Sequence, residues 1–254
     1  MTVLEKESVM AISNSKDELE YRTEEEGNVH PILYAENWEL FKSSFVKGRQ
    51  CAKYLFLDKF NRNKRTPPSE ETVLAFEKGH RFENMFRDEK FPGGINVKDK
   101  VGIIAHCKSY TDYLLKKDDT SIIYEATFMV SDVLIMCDVL VKNDSGMIDI
   151  YECKSALAIN DAIKNDLAIQ YAICKKRFGD KLKSFNLVLA TEDEGWTITD
   201  MKSELKNKVE DTNRLIDEFK NVLSSSEPNI SMGSHCETPY RCEFIEYYVK
   251  QQKM

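Results

Sequence analysis

The chain has 254 residues, of which 42% are apolar and 10% aromatic, enough to bury one substantial core. Its formal net charge of -7 argues against a nucleic-acid surface spread over the whole molecule, and no apolar run reaches the roughly 20 residues of a transmembrane helix. Seven unevenly spaced cysteines, and an N-terminus without the pattern of a secretory signal, predict a cytoplasmic protein without a disulfide framework.

Two parts of the chain differ in composition. Residues 1–37 are polar and acidic, and the stretch "KDELEYRTEEEGN" has no apolar period, which predicts a loosely ordered or partly helical extension. We expect residues 38–254 to form a single domain, with its core at about 75–190.

The first part of this domain is predicted to be helical. Residues 38–60 have helical composition and end in the turn-rich "NRNKRTPPS". Ser69 is a suitable N-cap for a second helix that runs to about Asp88, and "FPGG" closes this unit.

The middle of the chain reads as β-structure. The runs "SIIYEATFMV", "DVLIMCDVLV" and "MIDIYECKS" are apolar and β-branched, which predicts an antiparallel meander whose last two strands are joined by "KNDSG". Asn160 or Asp161 can cap a helix through Lys176, with Gly179 just past its end. "SFNLVLA" and "GWTITD" read as strands and 201–223 as a long charged helix, so we expect an α/β fold with a mixed β-sheet flanked by helices.

The apolar stretch "IDIYECKSA" carries Glu152 and Lys154, which are costly in a buried strand unless they are paired. A hairpin that folds about Ser145 places Asp138 opposite Glu152, and Lys154 shares their face because side chains alternate along a strand. Cys153 then points to the other face, into the core. The alternative is an edge strand whose charges are solvated.

Two neighbouring carboxylates raise each other's pKa unless a cation lies between them. A hard divalent ion such as Mg2+ or Mn2+ prefers oxygen ligands of this kind. Beside it, Lys154 can orient a water or neutralise charge that develops on a phosphate. This spacing therefore predicts a metal site built from Asp138 and Glu152.

Asp138 followed by Glu152-x-Lys154 resembles the D…(E/D)-x-K signature of the PD-(D/E)XK nuclease superfamily. "KGHRFEN", with Gly79, Phe82 and Glu83, is similar to the first motif of its RecB-like branch. "NDLAIQY" is similar to the motif of that branch in which a helix presents Gln and often Tyr.

The resemblance implies a restriction-endonuclease-like fold with helical elaborations at the N- and C-terminal ends. It implies that the metal is held by Glu83, Asp138, Glu152 and the backbone carbonyl of Cys153, while Lys154 acts on the water. Gln170 and Tyr171 would support the site or the DNA backbone. The alternatives are a solvated Glu83, and a Gln170 and Tyr171 with only structural roles, since the usual spacing of four would place the tyrosine at Cys174.

Three further cysteines carry a second resemblance. Cys51 lies in "GRQCAKYLFLD", and Cys236 and Cys242 lie in "GSHCETPYRCEF". They resemble the ligands of iron-sulfur RecB-like nucleases, which include the CRISPR adaptation exonucleases and a related uncharacterised bacterial family. The resemblance implies a [4Fe-4S] cluster, but Tyr248 stands where the fourth cysteine is expected. The alternatives are three cysteines packed in an apolar cap, or a zinc site, for which a fourth ligand is lacking.

The sequence thus predicts a metal-dependent DNA nuclease, of exonuclease type, that hydrolyses phosphodiesters. Residues 42–65 hold eight basic residues against one acid, interleaved with aromatics, which predicts a surface for single-stranded DNA. Part of that segment can equally be the solvated face of an amphipathic helix. The alternative function is a catalytically inactive DNA-binding or scaffolding protein that keeps the nuclease fold.

Overall fold

A seven-stranded mixed sheet forms from the β-branched and apolar runs of the middle of the chain. The structure is a computed structural model that describes residues 10–15, 18–22 and 32–252. The strands in chain order are β1 (Met10–Ser15), β2 (Glu18–Arg22), β3 (Ile32–Tyr34), β4 (Leu40–Phe41), β5 (Ile95–Asn96), β6 (Ile122–Val130), β7 (Val133–Lys142), β8 (Ile148–Lys154), β9 (Leu182–Ala190) and β10 (Trp196–Asp200).

Helices cover both faces of this sheet. In chain order they are α1 (Lys42–Gln50), α2 (Ala52–Phe60), α3 (Glu70–Lys90), α4 (Val97–Val101), α5 (Ile104–Lys116), α6 (Asp161–Phe178), α7 (Lys202–Lys206), α8 (Val209–Leu223) and α9 (Ile245–Gln252). The predicted mixed sheet flanked by helices is confirmed, with helical segments at both ends of the domain.

The order of strands in the main sheet is β10-β9-β8-β7-β6-β5, and β4 pairs with β7. β6, β7 and β8 form the predicted antiparallel meander, whereas β8 and β9 are parallel and are connected through α6. Val139 lies opposite Tyr151 and Leu140 opposite Ile150, which is the register of a hairpin folded about Ser145. The predicted register is therefore confirmed.

Local capping signals fix the ends of two long helices. Ser69 Oγ accepts a hydrogen bond from the Thr72 amide at 3.2 Å at the start of α3. Asn160 Oδ1 accepts one from the Ile163 amide at 2.9 Å at the start of α6, and Gly179 ends that helix with a φ of 56°.

Two predicted helices are divided and one helical region was missed. The helix expected at 38–60 is interrupted by the extended Cys51, with a φ of -165°, between α1 and α2. The helix expected at 201–223 is split into α7 and α8. α4 and α5 lie in a stretch for which no element was predicted, because its apolar residues show no clear period.

The extension predicted for residues 1–37 contains strands in its described part. β1, β2 and β3 pair antiparallel as a separate three-stranded sheet. Residues 1–9, 16–17 and 23–31 lie outside the described residues. Within the described part of the chain, no helix combines the length and the apolar character needed to cross a membrane.

The alternation of side chains along β7 and β8 separates two environments. Val139 and Cys153 face α3 and pack with its Phe82 and Phe86, as predicted for Cys153. On the other face, Ile150 joins the larger core that contains α6. Asp138, Glu152 and Lys154 share this second face, near the start of α1.

The close packing of α1 on α8 predicts that alanine substitutions at two helical glycines have different effects on the free energy of unfolding. A Cβ at Gly48 would lie 2.8 Å from Cε2 of Phe219, whereas a Cβ at Gly79 would lie 4.0 Å from the nearest atom, Ser155 Oγ. We expect Gly48→Ala to lower the free energy of unfolding by about 1–3 kcal/mol. Gly79→Ala, the matched control, should raise it by up to about 1 kcal/mol through helix propensity. Urea denaturation measures both, and equal effects would contradict this packing.

Candidate active site

Asp138 and Glu152 are held together by the ladder between β7 and β8. The Cys153 amide donates a hydrogen bond to Asp138 Oδ2 at 2.6 Å, so this carboxylate is fixed to the backbone next to Glu152. Glu152 is 1% exposed, and its place on the inner face follows from strand alternation. The buried Glu152 thus lies beside the half-buried carboxylate of Asp138.

Glu152 is paired with two lysines at one oxygen. Lys154 Nζ lies 2.7 Å and Lys42 Nζ 2.9 Å from Glu152 Oε1. Asp166, on α6, holds Lys154 from the other side, with 2.7 Å between Asp166 Oδ2 and Lys154 Nζ. Gln170, one helical turn further, donates to the same Asp166 oxygen at 3.4 Å.

Glu83 approaches the cluster from α3 together with an arginine. Arg87 forms ion pairs with Glu83 and, at 2.9 Å, with Glu125 of β6. The same guanidinium donates a hydrogen bond to the backbone carbonyl of Asp138 at 3.1 Å. Glu125 has a φ of 51°, a left-handed conformation that is unusual in the middle of a strand and often accompanies a functional site.

The neighbouring charges drive the pKa values of these carboxyl groups apart. Burial, with the charges of Glu152 and Glu83, raises the pKa of Asp138 well above the ordinary aspartate value. Burial also disfavours a charged Glu152, but Lys154 and Lys42 outweigh it and lower its pKa to about 2. Burial raises the pKa of Glu83 to about 7 in spite of Arg87. The cluster therefore keeps Glu152 ionised beside carboxyl groups that hold their protons more tightly.

The cluster contains oxygen atoms of the kind that bind a hard divalent cation. Within the described part of the chain, the buried oxygens Glu152 Oε2 and Gln170 Oε1 receive no hydrogen bond. Such oxygens are the ligands that Mg2+ and Mn2+ prefer. No three His, Cys, Asp or Glu side chains among the described residues converge as metal ligands, and the cations of Lys42, Lys154 and Arg87 lie against the carboxylates.

Most of the site residues predicted from the sequence lie in the charged cluster, but one lies in the core. Asp138, Glu152, Lys154 and Gln170 lie in the cluster, and Glu83 lies at its edge through Arg87. Tyr171 instead packs in the core, edge to face with Phe185 at a centroid distance of 5.6 Å.

Four residues of the cluster were not predicted. Asp166 lies four residues before Gln170, and Arg87 lies four residues after Glu83. Residues four apart lie on the same face of a helix, so helical periodicity was a signal for both. Lys42 reaches the site through tertiary packing, and Glu125 reaches it through an irregularity of the backbone of β6. The sequence carries no local signal for either.

The three cysteines of the second resemblance lie around one cavity. Cys51, Cys236 and Cys242 line a cavity of about 10 Å³ together with Tyr248 and His235. Burial raises the pKa of the Cys242 thiol to about 11. Three cysteines and two tyrosines, Tyr54 and Tyr248, therefore line the cavity, which has room for about one water molecule.

Much of the basic segment 42–65 is neutralised by acidic partners. The buried Asp58 pairs with Arg65 and with Lys47, the latter at 2.8 Å. Lys53 pairs with Glu227 at 3.0 Å. Lys59 and the residues 62–64 remain exposed at the end of α2. The exposed basic surface is thus smaller than the composition of the segment indicates.

Comparison with known proteins does not identify the function of this chain. No family model matches the chain, and no curated protein matches it. Among solved structures, the crystal structure of SSO0001 is similar over 77% of this chain and 80% of that chain, with 11% sequence identity and a TM-score of 0.36. A likeness at this score carries no argument about function.

The raised pKa of Glu83 predicts a pH-dependent stability. A carboxyl group with a raised pKa in the folded state makes that state less stable as the pH rises from the unfolded pKa, 4.5, through about 7. We expect Glu83→Gln to remove this loss. The free energy of unfolding of the variant, relative to that of the wild type, should therefore increase by roughly 1–3 kcal/mol as the pH rises from about 5 to 8.

Denaturant titrations at several pH values measure this difference. Glu77→Gln, which removes an exposed carboxylate of the same helix, is the matched control and should follow the wild type. Parallel curves for wild type and Glu83→Gln would contradict the raised pKa.

Proposed function

We propose that the chain is a divalent-metal-dependent DNA nuclease that hydrolyses phosphodiester bonds, as an exonuclease, with Asp138, Glu152 and Lys154 as its catalytic residues. One observation carries the proposal: the half-buried Asp138 and the buried Glu152, from paired strands, lie together with Lys154 and with oxygens that lack donors. A fold that needed no cation would gain little from this cluster, because each buried charge must be desolvated.

The residues that would hold the cation are Asp138, Glu152 and the backbone carbonyl of Cys153, with Glu83 as a further ligand once it separates from Arg87. A bound Mg2+ or Mn2+ supplies the Lewis acidity that phosphodiester hydrolysis requires. Glu152 is already ionised, which prepares it as a ligand.

Lys154 is held between Glu152 and Asp166 at 2.7 Å from each. Burial disfavours its charge, but Asp166 and Glu152 outweigh burial and raise its pKa well above the usual lysine value. Lys154 therefore remains an ammonium that orients water and stabilises charge on the phosphate, rather than a base that removes a proton. Gln170 donates a hydrogen bond to Asp166 and also contributes to the lowered pKa of Glu152.

The nuclease proposal predicts the loss of cleavage in two variants. Asp138→Asn and Lys154→Met should each lower the rate of Mn2+-dependent cleavage of labelled single- and double-stranded DNA by at least about 100-fold, because the first removes a carboxylate that would hold the cation and the second removes the ammonium beside the reacting phosphate. Asp144→Asn, in the exposed turn between β7 and β8, is the matched control and should cleave at the wild-type rate.

The rival function is a DNA-binding or scaffolding protein without activity. The observation that favours it is the occupation of Glu152 and Glu83 by Lys42, Lys154 and Arg87. DNA binding by the wild type without any cleavage, or equal cleavage by wild type and Lys154→Met, would support this rival and exclude the nuclease.

The exposed end of α2 supports a DNA partner. Lys59 and Phe60 are exposed there, next to the exposed residues 62–64. Phe60 can stack on an unpaired base while the neighbouring cations contact phosphates, which is the usual mode of binding to single-stranded DNA.

The [4Fe-4S] cluster implied by the resemblance would take the thiolates of Cys51, Cys236 and Cys242 as ligands, and the cavity of about 10 Å³ that they line would have to widen to admit it. Tyr248 lies in the position of the fourth ligand, so a cluster here would be held by one thiolate fewer than usual. The cluster stays a prediction.

Anaerobic purification tests it by iron and sulfide content and by visible absorption. If the cluster binds, Cys242→Ser should lose most of the iron and the absorption, because only two thiols remain. Cys107→Ser, which changes a buried cysteine of α5, is the control and should keep both. A wild type free of iron would show that these cysteines only pack the C-terminal segment.

A further inference from the structure

Lys42 is a second ammonium on the carboxylate of Glu152, contributed by a distant part of the chain. It is the first residue of α1 and lies 110 positions before Glu152. Its Nζ donates to Glu152 Oε1 at 2.9 Å, and Lys154 Nζ donates to the same oxygen at 2.7 Å. One oxygen thus accepts from two ammonium groups while Glu152 Oε2 receives no hydrogen bond from the described residues.

The two lysines are anchored unequally. Lys154 has a second contact of 2.7 Å to Asp166, whereas Lys42 lies 3.9 Å from the same Asp166 oxygen. A separation of 3.9 Å is outside the range of a hydrogen bond, so Lys42 is held by Glu152 alone and by a weaker long-range attraction to Asp166. Arg87, the third cation of the cluster, has Glu83, Glu125 and the Asp138 carbonyl as partners. Lys42 is therefore the cation with the fewest anchors.

Lys42 also keeps its positive charge. Burial disfavours the charged form, but Asp166 and Glu152 outweigh burial and raise the pKa of Lys42 above the usual lysine value. A permanently charged ammonium is unsuited to remove a proton and well suited to bind a phosphate oxygen as a compact point charge.

We propose that Lys42 is the phosphate-binding residue of this site: it neutralises Glu152 in the metal-free protein and moves to a phosphate oxygen of the substrate when a divalent cation takes Glu152. Lys154 remains with Asp166 during this exchange, because that contact does not involve Glu152. The inference deepens the proposed nuclease function and rests on it.

The exchange predicts two effects of opposite sign in one variant. Lys42→Met keeps an unbranched side chain of similar length and removes the charge. Mn2+ should bind this variant about tenfold more tightly, because a cation that competes for Glu152 is gone. A hydrolysis-resistant phosphorothioate oligonucleotide, in saturating Mn2+, should bind about tenfold more weakly, with a salt dependence reduced by about one charge.

Titration calorimetry with Mn2+ and fluorescence anisotropy with the labelled oligonucleotide measure the two constants. Lys116→Met, which removes an exposed lysine of α5, is the matched control for net charge and should change neither constant more than about twofold. Lys42→Arg keeps the charge and should recover most of the oligonucleotide affinity. If Lys42→Met melts below the assay temperature, Lys42→Gln takes its place in both titrations.

A tighter Mn2+ constant together with a weaker oligonucleotide constant supports the proposal. Two constants that weaken together indicate a structural role for Lys42 and overturn it, as do two unchanged constants or a wild type that binds neither probe. Failure of the nuclease proposal is distinguishable, because a wild type that binds Mn2+ and the oligonucleotide but cleaves no DNA excludes catalysis while the two constants still decide the role of Lys42.

Discussion

The register between β7 and β8 is the constraint on which the charged site depends. Val139 pairs with Tyr151, and beyond this pair the Cys153 amide is bound to the Asp138 carboxylate at 2.6 Å. A slip of one residue would turn Glu152 and Lys154 towards α3 and bring Cys153 to the charged face. The apolar packing of Val139 and Cys153 against α3 opposes such a slip, so the core and the site select the same register.

Charge balance then determines how the buried groups coexist. Asp138 and Glu152 are adjacent and chemically similar, yet the pKa of the first is raised and that of the second lowered. The difference follows from their neighbours, because both lysines contact Glu152 whereas Asp138 is bound to a backbone amide. Glu152 is thus held as an anion. Asp138 keeps its proton more tightly, and a positive charge placed beside it would lower its pKa.

Local patterns were enough to predict the parts of the fold that depend on neighbouring residues. The turn between β7 and β8 and the caps at Ser69 and Asn160 were recognisable because turn and cap residues act within a few positions. The pairing of Asp138 with Glu152 followed from the turn by simple alternation. Lys42 was not recognisable as a site residue, because nothing near it in the sequence shows that α1 packs beside β8.

The basic segment shows what composition alone leaves out. Eight positive charges within 42–65 indicated a surface for DNA, but Lys47 and Arg65 surround the buried Asp58. Their charge is used to fix α2 and the following turn. Composition gave the number of charges, whereas their partners depend on contacts that the sequence pattern does not contain.

The C-terminal segment reaches the charged site through α1. Lys47 pairs with Glu243 at 3.0 Å, and Gln50 donates to the carbonyls of His235 and Tyr240 at 2.7 Å. These contacts tie the last part of α1 to the segment that carries Cys236 and Cys242. Because α1 has nine residues and is about 13 Å long, Lys42 lies one short, rigid helix away from the cysteine cavity. The contacts with the C-terminal segment and the ion pair of Lys42 with Glu152 therefore lie at opposite ends of the same helix.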